Sequence, residues 1–519
     1  MQAYTKPAVF ICHYRKRVNY KRCLSIPVFP TLSDPGGITG QRIIVATVSL
    51  ASLIGALDMS IVNITVPTII KSWQIPIGVG SLIIISYMLT ITGLILFMGK
   101  LGDRYGFRLL FILGLVLFGL GSLLCGMAAD ITSLIVFRVL QGAGAAMFSA
   151  IGPAVITTYL PLSVRGRSLG FLIAMSAAGY ALGPGIGGFV SQYAGWRWVF
   201  FLNIPIVILA LLMSWYCLPP ASGKVEQKPL NFTGPALFVA ALILLLSAFT
   251  FYQVPGTPDA VLLLLFLGGV IIAGFFAFRE RHNPDPLISP ALVRNRDFKL
   301  GILACLIITT LFSGVTYLMP LYLINSRHLD QSLAGLIMTI PALLSILVAP
   351  ASGGLADRHG SILISMIAVG LAAAGFLIFF TFNPLTLVLI IVAGLLITRV
   401  STAAFFGPNA RLIMGHCPPG SVGDGSGVMM TIRHVGMVAG IAFFQSVFAI
   451  RMYMAGISRD GTPLVSKLTP ALSVLGYQAV YLVSFALCII VVIIIRMTRE
   501  VPDTEYSPAP ELLPPDAMI

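Results

Sequence analysis

The 519-residue chain is 57% hydrophobic and 10% charged, with a mean hydropathy of +0.97, which is more apolar surface than one water-soluble core can hide. This excludes a soluble globular protein and calls for a polytopic membrane protein. The net charge of +14 raises nucleic-acid binding, but the basic residues are distributed as a membrane-orientation signal, and no nucleic-acid partner is expected.

Residues 1–40 are basic, poorly apolar and without a long hydrophobic stretch, so they do not read as a cleavable signal peptide. They are assigned to a basic cytoplasmic tail that covers residues 1–41. Apolar runs of about 20 residues then recur to the end of the chain, each long enough to cross about 30 Å of hydrocarbon as a helix. Membrane-spanning strands would show shorter, strictly alternating segments instead. About fourteen runs start near Ile43, Ser81, Leu109, Ile131, Arg167, Val199, Phe232, Ala260, Phe298, Ser332, Ile362, Leu385, Asp424 and Leu475. Gly407, Pro408 and the Pro418-Pro419 pair interrupt the pattern. An all-α integral membrane fold follows.

With an even number of spans and the N-terminus inside, about 23 of the 32 Lys and Arg residues lie on the cytoplasmic side. Among them are Arg15, Lys16, Arg17, Lys21, Arg22, Lys100, Arg104, Arg108, Arg279, Arg281, Arg294 and Arg296. Shifting the span count by one destroys this asymmetry, so both termini are expected in the cytoplasm. The seven cysteines are scattered without metal-ligand spacing, and neither a metal, a cofactor nor a disulfide framework is expected.

A polar segment at 219–231 and a charged one at 279–299 bracket two helices in the middle of the chain. The expected organisation is an N-terminal six-helix bundle (42–218), two linker spans (219–296), a C-terminal six-helix bundle (297–498) and a cytoplasmic tail (499–519). An internal echo relates the halves: Gly99-Lys-Leu-Gly-Asp103-Arg104-Tyr-Gly106 follows the second span, and Gly353-Gly-Leu-Ala-Asp357-Arg-His-Gly360 follows its counterpart. Parallel repeats of six helices are a transporter signature and place a ligand site near midplane between them. The longest outer loop spans about 451–469.

Asp58 is the acid set deep within an apolar run, whereas the other Asp and Glu residues fall in loops or near helix ends. A carboxylate at that depth is costly and marks a functional site by default, the alternative being a structural hydrogen bond to a neighbouring helix. Helical spacing puts Asp58, Ile61, Val62 and Thr65 on one face with Asn63 beside it, and Pro67 is able to bend or end the helix. In the fourth run Arg138, Gln141, Gly142 and Ala145 share a face, so a guanidinium and an amide project from a stripe of small residues. Such an arginine needs an acceptor or a wet cavity, and a backbone carbonyl would also serve. In the fifth run Gly179, Gly183 and Gly187 repeat every fourth residue, with Pro184 and Gly188 among them, which makes a groove for another backbone. Trp196-Arg-Trp-Val-Phe-Phe-Leu-Asn203-Ile-Pro205 follows.

Together these stretches resemble the major facilitator superfamily and, within it, the fourteen-helix drug:proton antiporters of the EmrB/QacA type. The resemblance runs from about residue 42 to 498. The first-span Leu-Asp motif, the loop motif at 99–108, the Arg138 motif and the Gly183-Pro184 motif occur in family order. Arg433-His434-Val-Gly436 resembles the eleventh core helix. Phe107 stands where a basic residue is common, and Asn231 where an Asp often opens the first extra helix. The resemblance implies a major facilitator fold of two six-helix bundles plus two extra central helices. It also implies a proton-coupled antiporter that exports drugs or toxic metabolites across the cytoplasmic membrane, with roles in multidrug efflux and antibiotic resistance.

Asp58 and Arg138 would couple protons, with Asn63, Gln141, Arg433 and His434 lining or supporting the cavity. Gating would fall to Gly99, Asp103, Arg104, Gly106 and Arg108, with Asp103 latching the halves near 423–427, and to Gly179, Gly183, Pro184, Gly187 and Gly188. A carboxylate that is dry and unpaired in one conformation, but wet or charge-paired in the other, changes its proton affinity between them. Partners would be a small-molecule substrate, protons, the bilayer and, for export across a second membrane, a periplasmic adaptor; a monomer is expected. A proton-coupled importer and a dedicated metabolite exporter are rivals on the same fold. An intramembrane enzyme acting on lipid-linked diphosphates is disfavoured, because it needs a cluster of acids to hold metal.

Overall fold

The computed structural model describes residues 38–219, 233–252, 257–283, 290–418, 422–456 and 470–500. Expectations for most of the N-terminal tail, for Asn231, for the outer loop beyond 456 and for the C-terminal tail past 500 lie outside the described residues. Among the described residues there are helices and no strand.

The first bundle contains α1 (Ile38–Trp73), α2 (Ile77–Tyr105), α3 (Phe107–Gly126), α4 (Ile131–Tyr159) and α5 (Leu162–Tyr193). A one-turn α6 (Trp198–Phe201) leads into α7 (Asn203–Cys217). Two further helices follow, α8 (Thr233–Phe251) and α9 (Asp259–Arg281), and then a short α10 (Pro290–Arg294). The second bundle holds α11 (Arg296–Leu321), α12 (Gln331–His359), α13 (Ser361–Phe380), α14 (Val388–Gly415), α15 (Val422–Met454) and α16 (Pro470–Arg496). A π-helical turn at Tyr322–Ser326 extends α11. Among the described residues fourteen elements are long and apolar enough to cross a membrane, with α6 and α7 making one crossing between them. The fourteen runs seen in the sequence are therefore fourteen helical spans. The first starts at Ile38, inside the stretch assigned to the tail.

Within the bundles α1 packs on α5 and α3 on α4, and in the second half α11 packs on α15 and α13 on α14. Helix α8 touches α2 of one bundle and α15 of the other, whereas α9 packs on α8. Large apolar side chains of α9 accordingly point outward, with Leu264 72% and Ile271 69% exposed, as expected for a helix whose surroundings are lipid. The internal echo is also conformational. Gly106 between α2 and α3 has φ +91°, and Gly360 between α12 and α13 has φ +87°, a backbone region that side chains with a Cβ disfavour.

The sequence left Pro67 able to bend or end α1, yet the helix runs past it to Trp73. The carbonyl that Pro67 leaves without its helical donor is that of Asn63. One residue on, Gln331 of α12 reaches across from the other bundle: its Nε2 donates to the Ile64 carbonyl at 3.0 Å, and its Oε1 accepts from the Thr68 hydroxyl at 2.9 Å.

The bundles meet closely at the end where α1 and α5 finish and α12 begins. A Cβ added to Gly188 would run into the Gln331 carbonyl, one on Gly335 would run into the Pro184 carbonyl, and Gln192 Oε1 accepts from the Ser332 amide at 2.8 Å. Towards the opposite end, Gly166 and Gly170 of α5 and Gly353 and Gly354 of α12 face open space. The α5–α12 seam is thus closed at one end and splayed at the other. This wedge is one of the two arrangements that alternating access requires.

Candidate functional site

Inside the first bundle, five helices converge on Asp58 of α1. Helix α4 is held at its start by a reciprocal cap: Asp130 Oδ1 accepts from the Ser133 amide at 2.8 Å, and Ser133 Oγ accepts from the Asp130 amide at 3.3 Å. Two turns on, Arg138 and Gln141 project inward three residues apart. The close approach of α3 depends on Gly121, where an added Cβ would lie 2.7 Å from the Gln141 backbone. That proximity brings Ser122 beside the Gln141 amide.

The arrangement is dense and dry. Asp58, Arg138, Gln141, Ser122 and Asn203 are all 0% exposed. Arg138 Nη1 donates to Asp58 Oδ2 at 2.7 Å and to Gln141 Oε1 at 2.6 Å, and its Nε donates to the Ile83 carbonyl of α2 at 3.0 Å. Asp58 Oδ1 accepts from Gln141 Nε2 at 2.9 Å and from Asn203 Nδ2 at 2.7 Å. Gln141 Nε2 also donates to Ser122 Oγ at 2.8 Å, and the guanidinium lies 4.0 Å from the centre of the Tyr87 ring. The carboxylate thus receives one charged and two neutral donors. Three polar atoms beside this network have no hydrogen-bond partner among the described residues: Arg138 Nη2, Asn203 Oδ1 and the Tyr87 hydroxyl.

Of the residues singled out in the sequence, the structure brings Asp58, Arg138 and Gln141 together. Asn63 lies further along α1, 8% exposed, with Oδ1 buried and unpartnered. Arg433 and His434 are in the other bundle: the Arg433 guanidinium sits 4.3 Å from the centre of the Phe406 ring, and His434 Nδ1 lies 2.8 Å from the Met430 carbonyl. Asn203 and Ser122 belong to the network although the sequence reading had not named them as site residues. Asn203 carried a signal, a lone amide in the apolar run between Phe201 and Pro205, which was read only as part of a motif.

The residues expected to gate fall into two groups. Gly179, Gly183 and Gly187 face α1: added Cβ atoms there would strike the Leu53 carbonyl, the Ser60 side chain and Ile64 with the Ile61 carbonyl. Pro184 and Gly188 lie against α12 instead, so α5 packs on Asp58's own helix on one side and on the opposite bundle on the other. In the loop motif, Arg108 Nη2 donates to the Trp215 carbonyl of α7 at 2.6 Å, and Arg104 lies 5.5 Å from the Tyr105 ring centre. Gly99 faces open space. The side chain of Asp103 lies outside the described residues, and with it the expected latch at 423–427. In the second copy of the motif, Asp357 pairs with Arg411 of α14 at 2.6 Å. Among the described residues no group of three or more His, Cys, Asp or Glu side chains is placed to hold a metal ion.

Comparison with known proteins agrees with this architecture. The family described as Major Facilitator Superfamily matches residues 48–441. The chain is 31% identical over 410 residues to a protein of Clostridioides difficile named riboflavin transporter RibZ, covering 78% of this chain and 88% of that one. It is 27% identical over 406 residues to the multidrug export protein EmrB of Haemophilus influenzae, covering 76% and 78% of the two chains. Against solved structures it superposes with a TM-score of 0.61, at 16% identity, on a bacterial homologue of the human lysosomal transporter Spinster in an inward-facing, unoccupied conformation; the match covers 91% of this chain and all of that one.

Proposed function

The chain belongs to the Major Facilitator Superfamily of transporters, in agreement with its fourteen-helix drug:proton antiporter branch, and from that premise we propose that it is a proton-coupled antiporter exporting amphipathic organic compounds. It would act at the cytoplasmic membrane with both termini inside, as the distribution of basic residues favours. The observation that carries the reading is the closed network around Asp58.

In this conformation every proton facing the Asp58 oxygens already belongs to a donor: Arg138, Gln141 or Asn203. A proton added to the carboxyl would displace one of them. The ion pair would loosen, Arg138 would keep the Ile83 and Gln141 oxygens, and a rotated Asn203 amide could offer its free Oδ1 to the new hydroxyl. Protonation is therefore tied to a shift of α1 against α4 and α7. Helix α5 passes that shift to the seam with α12, because its glycines bear on α1 on one side and its Pro184 and Gly188 on α12 on the other. Since Asp58 is fully buried here, the proton enters in the alternative conformation. One proton moving inward under 100 mV supplies about 2.3 kcal/mol, which sustains roughly a 50-fold gradient of a neutral substrate.

The test uses everted membrane vesicles carrying a pH gradient and a panel of neutral, cationic and anionic amphipathic compounds. Substrates should dissipate the gradient with the wild-type chain and fail to do so with Asp58→Asn. Undiminished proton exchange in that variant would sink the proposal. The likeness to a protein named for riboflavin favours a second reading, a transporter dedicated to one metabolite on the same fold. Export of a single panel member, with no response to the rest, would select it.

A further inference from the structure

We propose that Arg399 and Arg433 of the second bundle form an anion-binding subsite on the side of that bundle that faces the first, so that the transported compound is an aromatic organic anion. The assignment rests on the transporter reading above and names the substrate class for it.

Arg399 lies on α14 in the middle of a span, and Arg433 on α15 in the same bundle; both are half-buried. Arg399 Nη2 donates to the Thr316 hydroxyl of α11 at 3.2 Å, while its guanidinium stands 5.9 Å from the ring centre of Tyr180 on α5. It therefore projects between the two bundles rather than into lipid. Arg433 rests on Phe406, which lies two turns along α14 from Arg399 on the same face, about 10 Å away at 1.5 Å per residue. Two cations thus lie along one strip of α14, each beside an aromatic ring.

Neither has an acidic partner among the described residues. Among the described residues Asp58 is committed to Arg138 at 2.7 Å, and Arg399 and Arg433 make no ion pair. The other described carboxylates sit at helix ends, as at Asp130, Asp259, Glu280, Asp297, Asp357 and Asp424. Intramembrane arginines without a carboxylate are costly and rare unless a ligand or water meets them. Guanidinium favours planar oxyanions such as carboxylate, sulfonate or phosphate, and the flanking rings of Tyr180 and Phe406 suit an aromatic body. The imbalance lies opposite the neutralised Asp58–Arg138 pair, so the proton site and the anion subsite occupy different bundles. An anion bound to both bundles' faces, against Tyr180 on one side and the arginines on the other, has a direct grip on the seam that must move.

The full chain in lipid nanodiscs is tested by equilibrium dialysis with radiolabelled 1-naphthoate, its uncharged analogue 1-naphthamide and the cation 1-naphthylmethylammonium. Naphthoate should bind about tenfold or more tighter than either analogue, the scale of one charge-assisted hydrogen bond. Arg399→Gln and Arg433→Gln should each remove most of that preference while leaving naphthamide within about twofold, and the Arg→Lys variants should retain part of it. Equal binding of naphthoate and naphthamide by the wild type, no naphthoate binding up to millimolar concentration, or an undiminished preference in both Gln variants overturns the assignment. Dialysis requires neither a gradient nor turnover. A wild-type chain without charge preference but with intact proton exchange therefore fails the subsite alone, whereas a wild-type chain with charge preference but without proton exchange fails the antiport reading alone.

Discussion

Replacing Arg138 by methionine isolates the energetics of the buried site. The change removes the 2.7 Å bond to Asp58, the 2.6 Å bond to Gln141, the 3.0 Å bond to the Ile83 carbonyl and the stacking on Tyr87 at 4.0 Å. The carboxylate is left fully buried with two neutral donors, Gln141 and Asn203. Deleting one member of a buried pair costs about 3–5 kcal/mol, most of it from the stranded charge, whereas removing both members is often close to neutral. Arg138→Met should therefore lower the unfolding midpoint by roughly 6–20 °C if a bundle responds like a soluble domain of 150–250 residues. The double variant Asp58→Asn/Arg138→Met should recover at least half of that loss. Differential scanning fluorimetry of the purified chain in nanodiscs, run as a double-mutant cycle, measures the coupling. A single-variant loss under about 2 °C, or a double variant showing only the sum of the two single losses, would refute the tight ion pair and the mechanism built on it.

Asn203→Ala should keep the fold and slow substrate-driven proton exchange by about tenfold in vesicles, because it removes one donor to Asp58 and the acceptor offered to the protonated carboxyl. Gly183→Val should abolish transport, since even a Cβ there would sit 2.7 Å from Ser60 Oγ, while Gly166→Ala, which faces open space, should change stability by less than about 0.5 kcal/mol. Gln331→Ala loses the bonds to Ile64 and Thr68 that close one end of the seam. Two lost hydrogen bonds of about 1 kcal/mol each should shift the conformational equilibrium roughly 30-fold away from this arrangement. Spin labels at positions 166 and 354 should then report shorter distances, and an unchanged distribution would contradict the wedge.

The fourteen spans were legible because each needs about 20 apolar residues, whatever its neighbours. Asp58, Arg138 and Gln141 were legible for a related reason: a buried polar group in an apolar run is expensive enough to stand out, and the three-residue spacing of Arg138 and Gln141 places them on one face. The partners were harder. Asn203 contributes to the site only because α7 brings its first residue level with Asp58, a matter of register between helices separated by over a hundred positions. The direction of the Gly179–Gly187 groove was similarly hidden, since small residues announce close packing without naming the partner, which proves to be α1. Arg399 went unremarked because its meaning depends on Tyr180 across the seam and on the absence of a nearby acid. Pro67 is able by its local rule to bend or end α1, and it does not end it: the helix continues to Trp73, with Gln331 of the other bundle bonded to Ile64 and Thr68 on either side of the proline.

The central claim is that Asp58 is the group that gains and loses the transported proton. Infrared difference spectroscopy of the purified chain between neutral and acid pH, in ordinary and heavy water, measures this without knowing the substrate. The account predicts a protonated-carboxyl band with the deuterium shift of a buried acid in the wild type, missing from Asp58→Asn and altered in frequency by Asn203→Ala. An identical band in Asp58→Asn would contradict it.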